Sequence, residues 1–353
     1  MNCLILTPNR YGIREVAKQV GAEWEAMGHT VDYDLPDGEP ARVAGVTVGV
    51  PGIALWWYRT LRRVAQTGDH YDLVWTHQPL APLLPTREPS FWKRVIITFH
   101  TTERAEYELA REGVYPTTRR PYLWITKMLE ASFYRRLERL DESGPSYTVV
   151  APHLREEISE FGVGSAKYIP NGIFAPDPNS FASIRAEHRI PDDATLIVSI
   201  GSLTPQKRPV CFARTLHEVT EDSTDVYCVI VGDGPLREAV EEYTTDRVIA
   251  VGYVPEEEKW RWLAGADVFA SLSAYEGMPV ATMEALSFGL PVILSDIGAH
   301  RHVVENLGAT GALVRPVAAS VCAAIQELQE ERTEASMPTW REAAEAYVRI
   351  VSK

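Results

Sequence analysis

The chain has 353 residues, 45% of them hydrophobic and 24% charged, with a formal net charge of −13. That length exceeds one ordinary core and predicts two domains of roughly 150–180 residues each. The acidity argues against a nucleic-acid partner, which needs clustered cations to meet phosphate. No stretch reaches the ~18 uncharged apolar residues of a membrane span, and no signal-peptide pattern opens the chain. Cys3, Cys211, Cys228 and Cys322 form neither a C-x-x-C pair nor a metal-ligand spacing, so reduced thiols in a cytoplasm are expected.

Strand and helix signals alternate along both halves. Cys3–Thr7 reads as a strand and Pro8–Gly12 as a turn; Val16, Val20, Trp24 and Met27 then fall on one face of a helix. Gly28-His29 closes that helix ahead of a strand over Thr30–Tyr33, and further strands are predicted at Asp72–Thr76, Val95–Phe99 and Tyr147–Ala151. Tyr168-Ile-Pro-Asn-Gly-Ile-Phe174 separates the halves. The second half offers strands at Thr195–Ile200, Tyr227–Val231, Val248–Val251, Val268–Ala270 and Val292–Ser295. It also offers a helix from Val280 to Phe288, closed by Gly289 and Pro291. A last helix over Thr339–Val351 carries Trp340, Ala343, Ala344, Tyr347 and Ile350 on one stripe. Such alternation implies parallel sheets covered on both faces, with ligands at the carboxyl ends of the strands.

The segment richest in chemistry is Ser273-Ala-Tyr-Glu-Gly-Met-Pro-Val-Ala-Thr-Met-Glu284. Pro279 suits a first helical turn, which puts Glu276 on the loop before a helix N-terminus and Glu284 more than a turn inside. Main-chain N–H groups there favour an anion such as a diphosphate. The flanking carboxylates would accept hydrogen bonds from sugar and ribose hydroxyls; a solvated surface helix is the plainer alternative. Gly201-Ser-Leu-Thr-Pro-Gln-Lys207 and Val231-Gly-Asp-Gly-Pro235 each follow a predicted strand. Lys207 supplies a cation, and Gly232 and Gly234 allow either close approach to a ligand or a tight turn. His77 and His100 stand at strand ends. Asp32-Tyr-Asp34 imitates a metal-binding D-x-D but lies in the half without the phosphate motifs, so no metal is assigned. Two aromatic–basic stretches remain: Leu55 to Arg63, and Arg119 to Lys127 continuing to Arg135, Arg136 and Arg139. They suit either a membrane interface or helices packed on a sheet.

In their order these motifs resemble those of retaining glycosyltransferases with the GT-B fold, in particular glycosyltransferase family 4. The resemblance spans nearly the whole chain and is most specific from Ile169 to Pro316. It implies two Rossmann-like α/β domains with parallel sheets facing across a cleft. Residues 1–172 would bind the acceptor, 173–337 the nucleotide sugar, and 338–353 would form a helix returning to the first domain. The implied reaction moves a sugar from a nucleoside-diphosphate sugar to a glycan, lipid-linked or small-molecule acceptor, with retained configuration and neither metal nor cofactor. In that reading Glu276 contacts the transferred sugar and Glu284 the ribose, while the backbone of Gly277, Met278, Pro279 and Val280 faces the diphosphate. Lys207 offsets leaving-group charge and His100 stands beside the sugar. Gly12 aligns with the second Gly of a Gly-Gly loop, Gly232 and Gly234 line the nucleotide, and Tyr253 lies near the base or merely packs.

The chain departs from the family pattern at Ser202, where an Arg is expected, and at Tyr11, where a Gly is expected. One cation instead of two weakens phosphate binding or moves the work to another residue such as Arg14. These departures keep open a non-catalytic nucleotide-sugar-binding protein or partner subunit; a GT-B sugar-nucleotide epimerase is the other alternative. Lipid-linked acceptors are common in the family, which adds peripheral contact with the inner face of the cell membrane through the N-terminal aromatic–basic stretches.

Overall fold

A computed structural model describes residues 1–7, 11–34, 42–43, 46–47, 50–67, 70–174, 176–328, 331–333 and 335–352. The chain forms two compact units, one comprising Met1–Arg111, Pro116–Gly172 and Pro338–Lys353, the other Glu112–Tyr115 and Ile173–Met337.

The first unit is built on strands β1 (Asn2–Leu6), β2 (Thr30–Asp34), β5 (Leu73–His77), β6 (Val95–Phe99), β7 (Ser146–Val149) and β8 (Lys167–Tyr168), with β3 (Arg42–Val43) and β4 (Val46–Thr47) paired antiparallel apart from them. The six form one parallel sheet in the order β2-β1-β5-β6-β7-β8. β5 and β6 are buried along their whole length, as continuous apolar runs covered on both faces must be. Helix Tyr11–Ala26 lays Val16, Ala17, Val20 and Trp24 against Cys3, Ile5 and Trp75. The turn read over Pro8–Gly12 lies, for residues 8–10, outside the described residues.

The C-terminal helix Trp340–Val351 joins that same core. Thr339 caps it, accepting from Glu342 N–H while the Glu342 carboxylate accepts from Thr339 N–H, a reciprocal capping box. Tyr347 packs on Trp75 with ring centroids 4.6 Å apart, and Trp24 Nε1 donates to the Ala344 carbonyl at 3.0 Å. The stripe predicted for this helix is thus buried through Ala343, Ala344 and Tyr347.

The second unit contains β9 (Thr195–Ile200), β10 (Val226–Val231), β11 (Val248–Gly252), β12 (Val268–Ser271), β13 (Val292–Ser295) and β14 (Gly311–Val314), parallel throughout in the order β11-β10-β9-β12-β13-β14. In each sheet the strand order reverses once, between β1 and β5 and between β9 and β12. Crevices at the carboxyl ends beside such reversals are where open α/β sheets hold ligands. The segment from Tyr168 reads as a strand end, and β8 stops there after two residues; β14 went unpredicted because it opens on Gly311 and carries only Ala312, Leu313 and Val314 as an apolar run.

The aromatic–basic stretch Leu55 to Arg63 lies within helix Val50–Thr67, where Trp57 and Leu61 are buried, so its aromatic side packs inward. The second stretch differs. On helix Arg120–Glu138, Leu123, Phe133, Tyr134 and Leu137 face the core, whereas Trp124 (53% exposed), Ile125 (50%) and Met128 (49%) face outward. Among the described residues no helix is long and apolar enough to cross a membrane.

Candidate functional site

The two central strands of the second sheet deliver the pair with the most chemistry. After β9, a turn Pro205–Lys207 ends with Arg208 in the left-handed region (φ 50°) and Pro209 opening helix Pro209–Asp222. After β12 the chain runs through Ser273 to Glu276. Lys207 Nζ donates to both carboxylate oxygens of Glu276, at 2.5 and 2.7 Å, and Ser273 Oγ donates to Oε1 at 2.7 Å. Glu276 is almost wholly buried (side chain 7% exposed) and Lys207 is a third exposed. The two loops are tied by their backbones, Ala274 N–H donating to the Gln206 carbonyl at 2.8 Å and Gln206 Nε2 to the Tyr275 carbonyl at 2.9 Å.

Lys207, Glu276, Ser202, Ser271, Ser273 and Pro279 share the wall of a cavity of about 40 Å³. That is room for about three waters, against the ~300–1,000 Å³ of a typical ligand pocket, so it is a polar floor rather than a complete nucleotide site. Ser202 is exposed at its rim, in the position where a second cation was expected.

Below Glu276 lies a support that sequence reading missed. Ser295 Oγ donates to the Ser273 carbonyl at 2.6 Å, and the buried His300 ring meets Ser295 through Nδ1, 2.9 Å from the carbonyl oxygen. Burial lowers the His300 pKa below its ordinary value, with Lys207 opposing the charged form further and Glu276 favouring it. Ser273 was within the quoted motif; its spacing to Glu276 was the available signal. Ser295 and His300 had none, because only the packing of β12 against β13 brings them there.

Glu284 sits on the fifth residue of helix Val280–Ser287 and does not line the Lys207–Glu276 cavity. Its carboxylate accepts from Lys259 Nζ at 2.9 Å, and Lys259 in turn lies 3.8 Å from the centre of the Trp260 ring. Burial raises the Glu284 pKa, and Lys259 holds it back. Lys259 was another unassigned residue; the one local signal for it is its place directly after the acidic run Glu256-Glu-Glu258. Pro279 precedes the helix rather than opening it (φ −81°, ψ 76°), and Val280 N–H already donates to the Met278 carbonyl at 2.9 Å. That main-chain donor is therefore engaged within the protein. Gly277 and Met278 lie half-buried between Glu276 and the helix.

The glycines divide by role. Gly232 has φ +139°, and a Cβ there would lie 1.9 Å from the Gly201 carbonyl oxygen; at Gly234 it would lie 2.8 Å from the Leu203 main-chain N and O. Gly232 N–H donates to the Gly252 carbonyl at 2.7 Å and Leu203 N–H to the Asp233 carbonyl at 2.9 Å. Both glycines are thus required by backbone packed on backbone. Gly12, the second residue of helix Tyr11–Ala26, has open space where its Cβ would be. Tyr253, just past β11, is 77% exposed, which excludes the packing alternative.

In the first unit, His77 and His100 end β5 and follow β6, and His77 Nδ1 lies 2.8 Å from His100 Nε2. Burial pushes both imidazoles toward the neutral form, His100 down to about 4 and His77 well below its ordinary value, where the neighbouring His100 adds to the effect. Asp32 and Asp34 are engaged elsewhere: Asp32 accepts from Tyr71 Oη at 2.9 Å and Asp34 pairs with Arg63.

Residues 11–174 match the Glycosyltransferase Family 4 profile and residues 180–346 the profile described as Glycosyl transferases group 1. A UDP-Gal:alpha-D-GlcNAc-diphosphoundecaprenol alpha-1,3-galactosyltransferase of Escherichia coli is 34% identical over 150 residues, 39% of this chain and 38% of that protein. A GDP-mannose-dependent alpha-(1-6)-phosphatidylinositol monomannoside mannosyltransferase of Mycolicibacterium smegmatis is 29% identical over 196 residues, 50% of this chain and 51% of that protein. The chain therefore spans about half or less of the curated relatives it matches. Among solved structures, sucrose-phosphate synthase from Thermosynechococcus elongatus superposes with a TM-score of 0.67 at 18% identity, covering 100% of this chain and 94% of that one.

Proposed function

This chain belongs to glycosyltransferase family 4 and has the GT-B fold, and on that premise we propose that it transfers a hexose from a nucleoside-diphosphate sugar to an acceptor, with retained configuration and without a metal. The observation that carries the proposal is the meeting of Lys207 and Glu276 in one cavity beside the strand-order reversal of the second sheet. In the resting protein these two neutralise each other. An incoming diphosphate, more highly charged than one carboxylate, competes for Lys207, which then stabilises charge on the departing nucleotide. Glu276, released from Lys207 but still held by Ser273, accepts from hydroxyls of the transferred sugar. Glu284 takes the ribose, the backbone at Gly277 and Met278 the diphosphate, and Tyr253 the base; His100 is assigned to the transferred sugar.

A lipid-linked acceptor is the class we favour, since the galactosyltransferase and the mannosyltransferase named above are described as acting on a diphosphoundecaprenol and a phosphatidylinositol mannoside. The exposed Trp124, Ile125 and Met128, followed by exposed Arg135 on the same helix and Arg139 just past its end, suit an anionic membrane surface. Cosedimentation with phosphatidylglycerol vesicles should fall for Trp124→Ser with Ile125→Ser; equal binding of this variant removes the membrane contact from the proposal.

The transfer itself is tested by acceptor-dependent release of nucleoside diphosphate from a panel of UDP-, GDP- and ADP-sugars. Lys207→Ala and Glu276→Ala should each lower turnover by about 10²–10³-fold, the size of effect seen when one preorganised electrostatic contact is removed. Unchanged turnover in both variants overturns the site. Donor binding without release in the wild type would favour a nucleotide-sugar-binding protein instead.

A further inference from the structure

We propose that His77 and Gln78, consecutive residues at the end of β5, are positioning residues that hold His100 in one orientation and one tautomer, presenting its Nδ1–H as a hydrogen-bond donor. The use made of that donor rests on the proposed transfer reaction; the clamp itself does not.

Three observations converge. Gln78 has φ +44°, a left-handed backbone that costs a non-glycine residue of order 1–2 kcal/mol. Both polar atoms of its side-chain amide meet the loop after β6: Oε1 accepts from His100 N–H at 3.0 Å and Thr101 N–H at 3.2 Å, while Nε2 donates to the Thr101 carbonyl. Main chain adds to this, Gln78 N–H donating to the Thr98 carbonyl at 3.1 Å. The left-handed backbone turns one side chain back across the neighbouring strand to grip the two residues at which His100 leaves the sheet. Backbone strain persisting at a strand end, and matched by three side-chain hydrogen bonds, is the pattern expected of a site whose geometry is over-determined.

His77 grips the ring itself. It is wholly buried against Trp75, with ring centroids 4.3 Å apart, and its Nδ1 lies 2.8 Å from His100 Nε2. One proton occupies that contact. If His100 donated it, the His77 proton would sit on Nε2, which is buried with no hydrogen-bond partner among the described residues. A buried unpaired N–H is the less tolerated orphan, so His77 donates from Nδ1 and leaves only a lone pair unmet at Nε2. His100 Nε2 then accepts, and the His100 proton lies on Nδ1. His100 is thereby a donor to an oxygen, and not a base, at the carboxyl end of the first sheet.

The test combines ¹⁵N-resolved NMR of the histidine rings in the intact protein with kinetics on three variants. Gln78→Gly keeps the left-handed backbone accessible and removes the side chain with its amide; His77→Phe keeps a ring and removes the bond; His77→Asn returns a donor near the Nδ1 position. We expect His100 to show Nδ1 protonated in the wild type, with His100 and Thr101 amide signals displaced in Gln78→Gly. Turnover should fall about 10²-fold in Gln78→Gly and His77→Phe, the cost of misplacing a reacting contact by an ångström, with donor KM little changed and partial recovery in His77→Asn. A His100 ring protonated on Nε2, or His100 and Thr101 signals unmoved in Gln78→Gly, overturns the clamp whether or not the protein transfers sugar. Failure of wild-type turnover with the NMR result intact would instead count against the reaction alone.

Discussion

The substitution Gly232→Ala separates two explanations of the glycine-containing loop after β10. If Gly232 serves chiefly to let a nucleotide approach, a methyl there should weaken binding and spare the fold. The geometry says otherwise. The alanine would have to hold φ near +139°, at a cost of about 1–3 kcal/mol. Its Cβ would meet the Gly201 carbonyl oxygen at 1.9 Å, so the loop must move, adding about 1–3 kcal/mol of overpacking strain. For a unit of this size each kcal/mol shifts Tm by roughly 2–4 °C, so a cost of about 2–6 kcal/mol should make the second unit unfold about 4–24 °C lower. Gly201→Ala is the matched control, because its Cβ would enter open space, and Gly234→Ala should fall between them. Differential scanning calorimetry of the three variants, with limited proteolysis to assign the transition to the second unit, measures this. A Gly232→Ala protein that melts with the wild type would refute the packing argument and return the glycine to the ligand.

Other consequences are checked more simply. Gly12→Ala should leave stability equal or up to about 1 kcal/mol higher, since the position is open and helical; a loss of donor binding without a loss of Tm would mark Gly12 as a ligand contact. Arg185→Met should destabilise the second unit by about 3–5 kcal/mol, read from urea unfolding, because the buried guanidinium bonds the carbonyls of Gly265, Pro191 and Ala194 and pairs with Asp267, and Asp267 would keep only the Leu196 N–H against its charge. Tyr347→Ala should cost the first unit about 3–5 kcal/mol by emptying the space against the packed Trp24 and Trp75 rings; an effect confined to the second unit would contradict the packing of the last helix. Both strand-end histidines have folded-state pKa values depressed below the unfolded 6.5, so their contribution is present above that pH and lost as pH falls toward 4. The Tm of His77→Phe should therefore decline less steeply than the wild type's between pH 6.5 and 4.5, and parallel declines would refute neutral burial of His77.

Much of the molecule was legible before any coordinates. β6, β9 and β13 were predicted to the residue because buried parallel strands are short, largely apolar runs bounded by polar or Gly-containing loops, a pattern that depends on chain-local facts alone. Glu276 and Lys207 could be singled out because each follows such a run, and their residue types suit sugar and phosphate. The sequence by itself thus determined the layered α/β architecture, the edge of each sheet that carries the chemistry, and the residue types available there. What it could not determine is which of those residues touch. The sheet order decided that Lys207 would meet Glu276 across β9 and β12, that Lys259 would occupy Glu284, and that the left-handed turn at Gln78 would reach the His100 loop. It also decided that Gly232 faces another backbone. Contacts between residues far apart in the chain arise from strand order and helix packing, and no local pattern encodes them; single side chains such as Ser295 and His300 become meaningful only once a neighbouring strand is laid beside them.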